Sequence, residues 1–270
     1  MDIFTPQILL LTVFFSALAG LLAGLLGIGG GVILVPLFLW LFHLAGFPPD
    51  LIVHTAFGTS LCIIVPTAIS STLGHRKRGN VAWHQVFYLA TAGALGAILG
   101  SSLAAFLSGN ILHSAFGGMQ VLVGLQLLFF HPRLPPEELN PRKISLLVVG
   151  LAGGAFSAFF GVGGGVIAVP LMLIALRMPI HLAVGNSSAL IVVSAFFGTL
   201  SYVVHGLSEA ASVPFSLGYV NLLVAAVVAP LTIICARLGV RLASRISQDK
   251  MVNVFAILLI LVGLKMIFRL

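Results

Sequence analysis

The chain has 270 residues, of which 60% are hydrophobic and only 7% charged. A water-soluble domain keeps about a quarter of its residues charged to cover its surface, so a soluble globular fold is excluded and lipid must be the solvent over most of the exterior. The 13 Lys and Arg outnumber six acids for a net charge of +7, but they fall in short clusters between apolar runs, which cytoplasmic loops explain without a nucleic-acid partner.

The N-terminus reads Met1-Asp2-Ile3, with no basic n-region and no small-residue cleavage site, so the first apolar run is expected to stay in the membrane as a spanning segment. The apolar runs that follow are long and continuous rather than alternating, which predicts helices and not a β-barrel. In chain order they cover residues 7–26, 32–45, 51–73, 83–107 and 111–130, then 144–160, 166–176, 180–204, 214–240 and 251–268. The second and seventh fall short of the ~20 residues of a full crossing, so they either cross with help from neighbours or dip in as re-entrant elements. Cys62 and Cys235 lie inside apolar segments and suggest neither a disulfide framework nor a metal site.

The chain repeats itself. Gly27-Ile28-Gly29-Gly30-Gly31 with Pro36 returns as Gly161-Val162-Gly163-Gly164-Gly165 with Pro170. His54-Thr55-Ala56-Phe57-Gly58-Thr59-Ser60 returns as His181-Leu182-Ala183-Val184-Gly185-Asn186-Ser187, and Leu122-Val123-Gly124-Leu125 as Leu261-Val262-Gly263-Leu264. The expected organisation is therefore a transmembrane repeat over 1–130, a cytoplasmic linker over 131–143 rich in proline and charge, and a second repeat over 144–270. Equivalent loops carry opposite charge patterns. After the third segment comes His75-Arg76-Lys77-Arg78, whereas the loop from His205 to Ser212 carries only Glu209. Five crossings per half put every Lys and Arg except Lys265 and Arg269 on the cytoplasmic side, which satisfies the positive-inside rule best. The expected fold class is an all-α integral membrane protein of two inverted repeats with about five helical segments each, the helices after the Gly-rich turns being broken or short. Secondary transporters use such repeats, with the substrate site near midplane between them.

Two motif pairs are candidates for the chemistry. Consecutive glycines can interrupt a helix and expose amides at the start of the next, where the dipole also favours an anion. Gly29, Gly30, Gly31, Gly163, Gly164 and Gly165 are the candidate backbone donors. Close helix packing through small residues is the competing reading. Pro36 and Pro170 are expected to distort or stop the helices that follow. In the second pair a glycine beside Thr59-Ser60 or Asn186-Ser187-Ser188 suggests a helix break whose side chains replace missing backbone partners, or which donate to an oxyanion. His54 and His181 are costly inside a bilayer and count as candidates there; at the interface they need no function. Topology accounts for Arg237 and Arg241, with Arg237 as a minor candidate for an anion funnel. No acid lies inside an apolar segment, and no HExxH, GxSxG or P-loop occurs, so no catalytic residue, metal ligand or cofactor is expected and an enzyme is disfavoured.

The paired GIGGG…VP and GVGGG…VP elements, the HxxxGTS and HxxxGNS that follow, and the basic stretch Arg76-Lys77-Arg78-Gly79-Asn80-Val81 resemble the TauE/SafE family of sulfite exporter-like permeases. The similarity runs from about residue 8 to 268. It implies a multi-pass protein of the bacterial inner membrane. The implied cargo is a small sulfur-containing anion, sulfite or an organosulfonate such as sulfoacetate, moved by alternating access. The resemblance further implies that the glycine turns and the GTS/GNS segments line a central site. The alternatives are an anion channel and an uptake permease for another sulfur compound. The expected partners are the anionic substrate and the lipid bilayer, without nucleic acid, and a homodimer is compatible with the sequence. The halves depart from one another at Ala229-Pro230-Leu231-Thr232, where the first half has Gly93-Ala94-Leu95-Gly96-Ala97.

Overall fold

A computed structural model describes residues 6–129, 141–209, 213–243 and 248–268. Most of the linker expected over 131–143, and Arg245, lie outside the described residues. The described chain is all-α apart from one small hairpin. Its helices are α1 (Pro6–Leu26), α2 (Gly31–Leu44), α3 (Pro49–Arg76), α4 (Trp83–Ala105), α5 (Gly109–Phe129), α6 (Lys143–Phe160), α7 (Gly165–Ile174), α8 (Ile180–His205), α9 (Leu222–Leu242) and α10 (Gln248–Phe268). Seven of these, among the described residues, are long and apolar enough to cross a membrane. Helices α2 and α7 have 14 and 10 residues. At ~1.5 Å per residue neither spans a hydrocarbon core of ~30 Å.

Three sequence expectations need correction. The ninth segment does not start at residue 214. Pro214, a left-handed Phe215 (φ 57°) and Gly218 (φ 57°) turn the chain into the hairpin of β1 (Ser216–Leu217) and β2 (Val220–Asn221). Helix α9 begins only where Asn221 accepts the Val224 amide at 3.0 Å and caps it. Pro36 and Pro170 do not stop their helices and lie inside α2 and α7. Proline at 36 removes the amide that would bind the Val32 carbonyl, and the buried Gln120 of α5 supplies a donor in its place at 2.9 Å. Finally, α3 and α8 run unbroken through Gly58 and Gly185. These glycines admit neighbouring backbone: a side chain there would collide with the Tyr219 and Asn80 carbonyls respectively.

Between helices in lipid there is no hydrophobic drive, so association rests on close van der Waals contact at small residues. Helices α4 and α6 show the pattern most fully. Gly96 and Gly100 lie against the backbone of Leu151 and Ala155, and Gly150 and Gly154 against that of Leu89 and Gly93. Helix α1 meets α9 in the same way through Gly20, Gly24 and Gly239, and α5 meets α10 through Gly117, Gly124 and Gly263. Large apolar side chains such as Phe87, Leu95, Leu99 and Leu103 on the far side of α4 stay exposed, as a lipid-facing surface requires. The centre is formed by α3 and α8, which run antiparallel. Ser71, late in α3, meets Ser188, early in α8, at 3.1 Å. Gly198, late in α8, packs on Leu61 in the first half of α3.

The packing makes a contrast measurable. Gly154→Ala drives a methyl into the α4 backbone and should cost roughly 1–3 kcal/mol. Gly118→Ala meets nothing within 4 Å and should be neutral or gain up to ~1 kcal/mol of helix propensity. Thermal unfolding of the two variants in one detergent reads the difference; equal midpoints would refute the close-packed seam.

Candidate functional site

After Leu26 the chain makes a left-handed turn in which Gly27, Gly29 and Gly30 have φ of 66°, 83° and 82°. Its counterpart after Phe160 has Gly161, Gly163 and Gly164 at 68°, 83° and 71°. Side chains pay ~1–2 kcal/mol per residue for this backbone region and glycine does not, so each GxGGG turn is written into the sequence by conformation. Each ends at a helix start. The amides of Ile33 and Leu34 bind the Gly30 carbonyl at 3.1 and 3.2 Å, and those of Ile167 and Ala168 bind Gly164 at 3.1 and 2.7 Å. Ahead of them the Gly165 amide binds the Gly163 carbonyl at 2.9 Å, while those of Gly31, Val32 and Val166 have no acceptor within their helices.

The two turns lie against one another. A Cβ built on Gly29 would stand 3.3 Å from the Gly163 Cα, and one on Gly163 would stand 3.4 Å from the Gly29 Cα. A Cβ on Gly31 would reach the Val162 Cα at 2.5 Å, and one on Gly165 the Ile28 Cα at 2.5 Å. Ile64 and Ile191, which are buried, flank the meeting point. The contacts are reciprocal between halves: Gly27 packs on Val184 and Gly161 on Phe57, the matching position of the other repeat. The positive ends of α2 and α7 thus converge on one apolar, water-poor spot, where partial charges act with little screening.

The second motif pair is brought to the same region, but mostly in a supporting role. Thr59 is buried and its Oγ1 accepts the Asn221 amide at 2.9 Å. Asn186 does the same for the other half. Its Oδ1 accepts the Ala82 amide at 2.8 Å, just before α4, while its Nδ2 donates to Gln85 Oε1 at 2.9 Å. Each half therefore caps a helix start of the other. Ser187 donates to the Gly27 carbonyl at 3.1 Å and fixes the first turn. Ser188 donates to the Val184 carbonyl at 2.9 Å. Ser60, the counterpart of Ser187, is fully buried and its Oγ has no hydrogen-bond partner.

The remaining candidates lie away from the turns. His54 is buried between helix ends, with Nε2 3.2 and 3.1 Å from the Ala104 and Leu107 carbonyls and Nδ1 3.3 Å from the Asp50 carbonyl. It closes the C-terminus of α4, where the dipole is negative. Beside it stands Tyr219, 5.1 Å between ring centres; burial, and secondarily the Glu209 carboxylate, push that phenol above its usual range. His181 is exposed in the first turn of α8. Arg237 is exposed and donates from Nε to Ser70 Oγ at 3.2 Å, on the α3–α9 seam. A cavity of about 140 Å³ opens between α1, α2 and α9, lined by Leu9, Phe42, Phe47, Phe215 and Val228 among others. Its apolar walls suit no anion, and no glycine of the turns lines it. Sequence reading passed over Gln120, although a lone amide in an apolar run is itself a signal. It also passed over Asn221, whose position before an apolar run is that of an N-cap.

Among the described residues, no cluster of side chains could hold a metal ion. The sulfite exporter TauE/SafE family matches residues 12–266. A "Probable membrane transporter protein" of Xylella fastidiosa is 31% identical over 98% of this chain and 97% of its own length. One of Haemophilus influenzae is 30% identical over 97% and 98%, and YunE of Bacillus subtilis is 25% identical over 95% and 96%. No solved structure gives a significant match. An all-α membrane fold built on paired glycine turns and a family match over nearly the whole length agree: the chain belongs to the TauE/SafE family of membrane transporters.

Proposed function

We propose that the protein is a secondary carrier of a small oxyanion, sulfite or an organosulfonate such as sulfoacetate, working by alternating access between two inverted halves of a bacterial inner membrane. The observation that carries this reading is the convergence of the α2 and α7 N-termini at the touching glycine turns. Backbone amides of Gly29, Gly30 and Gly31 and of Gly163 and Gly164 supply donors for an anion there, while the Gly165 amide is held by the Gly163 carbonyl at 2.9 Å. Ser60 adds a hydroxyl that has no other partner in the fold. Thr59, Asn186 and Ser187 hold the surrounding backbone through the bonds described above and act as positioning residues. The acids of the helices stand at their ends, Asp50 in the first turn of α3 and Asp249 at the start of α10, which spares an anion repulsion in the middle of its path.

Reciprocal contacts between matching positions are what a two-fold relation between halves produces, and they support the inverted reading, as do the antiparallel α3 and α8. The basic residues Arg78 and Arg241 share one end of the bundle, where Arg78 donates to the Arg241 carbonyl at 3.4 Å. Phe106 and His205 meet at the other, 6.0 Å between ring centres. Reporter fusions at Gly109 and Gly206 should therefore both report the outside. A cytoplasmic signal at Gly206 would return the halves to a parallel arrangement.

Purified protein in vesicles should take up labelled sulfite or sulfoacetate with saturation and support counterflow; conductance without saturation would make it a channel. Ser60→Ala removes one donor to a charged ligand, worth ~1.5–3 kcal/mol, and should weaken binding on the order of ten- to hundred-fold with little change in unfolding temperature. Unchanged affinity would remove Ser60 from the site.

A further inference from the structure

We infer that His75 is a proton-binding site that couples anion movement to protons, an inference that rests on the carrier reading above and names its coupling ion. His75 ends α3 and is 3% exposed. Its Nε2 lies 3.1 Å from the Gly24 carbonyl in the last turn of α1. A carbonyl only accepts, so Nε2 carries the hydrogen and the neutral ring presents a bare lone pair at Nδ1. That Nδ1 is buried and has no partner. One turn earlier on the same face of α3, Thr72 is 6% exposed and its Oγ1 is likewise without a partner. Two buried polar atoms left open one turn apart on α3 are costly in a membrane interior. One proton on Nδ1 changes this, because it creates a donor and Thr72 Oγ1, one turn away on the same helix face, is an acceptor still open.

The surroundings determine when that proton can bind. Helix α1 contributes no titratable side chain; its carbonyl end favours a cation. Helix α9 brings Arg237 and Arg241, α8 brings His181, and α3 with the turn after it brings Arg76, Lys77 and Arg78. The only acid in these four helices is Asp50, at the opposite end of α3. A lone imidazolium there is costly first because it is buried and then because like charges stand nearby, with no carboxylate in these helices to offset them except the distant Asp50. A negative charge at the glycine turns supplies the compensation. Gly24 lies three residues before Gly27, roughly 5 Å along the helix, and Ser187 ties Gly27 to α8. Proton and anion then bind better together than apart, and the linkage is reciprocal. The proton enters from one aqueous compartment and leaves to the other with the anion. The second half keeps the architecture without the titration: Tyr202, at the matching place in α8, is fully buried and donates to the Phe159 carbonyl at 3.5 Å in the last turn of α6. Of the described histidines, His54 is the other buried one, and both its nitrogens already face carbonyls.

The test uses the full-length protein in detergent with sulfoacetate as probe, an anion whose charge is constant across the histidine range. Wild-type affinity should rise as pH falls from about 8 to about 5.5, by at most about tenfold per unit for one linked proton. His75→Gln keeps a donor for the Gly24 carbonyl and removes the titration, so its affinity should be flat with pH. Thr72→Val should shift the wild-type profile to lower pH. A His75→Gln profile as steep as the wild type overturns the proposal. Nitrogen-15 histidine NMR, with His75→Gln for assignment, decides the point without transport. A His75 ring that gains a proton between about pH 5 and 8, sooner with sulfoacetate present, supports the site; a ring neutral throughout, with or without the anion, overturns it. If the wild type binds neither sulfoacetate nor sulfite at any pH, the carrier reading fails, and the ring titration still decides whether His75 holds a proton.

Discussion

The rest of this structure depends on the contact of two backbone turns with no side chains between them. Gly29 and Gly163 face each other so closely that a methyl on either would touch the other's Cα region. Left-handed φ at three positions of each turn reverses the chain within five residues, so that α2 and α7 start inside the bundle and not at its surface. Their shortness follows: a helix that begins in the interior needs little length to reach the far side. Helices α3 and α8 then pass on either side, placing Ile64 and Ile191 as matching walls. Any larger residue at the turns would separate the halves and remove the convergence of amides on which the proposed anion site rests.

The halves are held together by exchange. Thr59 of the first repeat binds the amide of Asn221 at the start of α9, and Asn186 of the second binds that of Ala82 before α4. Helices α4 and α9 in turn pack glycine to backbone on α6 and α1 of the opposite repeat. Each repeat is thus incomplete alone, with a helix start and a packing seam supplied by the other. In lipid, where apolar surface gains nothing from helix association, such contacts decide which helices are neighbours. The polar seam along α3, from Thr67 on Thr232 at 2.7 Å to Ser70 and Arg237, adds hydrogen bonds of the kind that are hard to replace in hydrocarbon.

Much of this was legible in the sequence because the signals were backbone signals. Runs of apolar residues gave ten segments that correspond to the ten helices, with limits within a few residues except at the start of the ninth, and GxGGG marked the turns because glycine takes their φ without strain. The side-chain level was less legible. Gly58 and Gly185 read as breaks, yet they mark close approach of a neighbour's backbone, which local sequence does not encode. The start of α9 was misplaced because a hairpin of apolar and small residues looks like helix by composition. Thr59 and Asn186 read as donors for a ligand, but three-dimensional neighbours claim them as caps, and only tertiary structure shows that within this motif pair Ser60 is the hydroxyl left open. Gln120, which serves the carbonyl freed by Pro36, combines two residues 84 positions apart that no local pattern connects.

The central claim is that an anion sits where the two glycine turns meet. It is tested most directly by a structure determined with selenite, a heavier analogue of sulfite that scatters anomalously. The account predicts a single strong anomalous peak within hydrogen-bonding distance of the amides at the starts of α2 and α7 and of Ser60 Oγ. A peak confined to the basic end near Arg76, Arg78 and Arg241, with none between the turns, would contradict it.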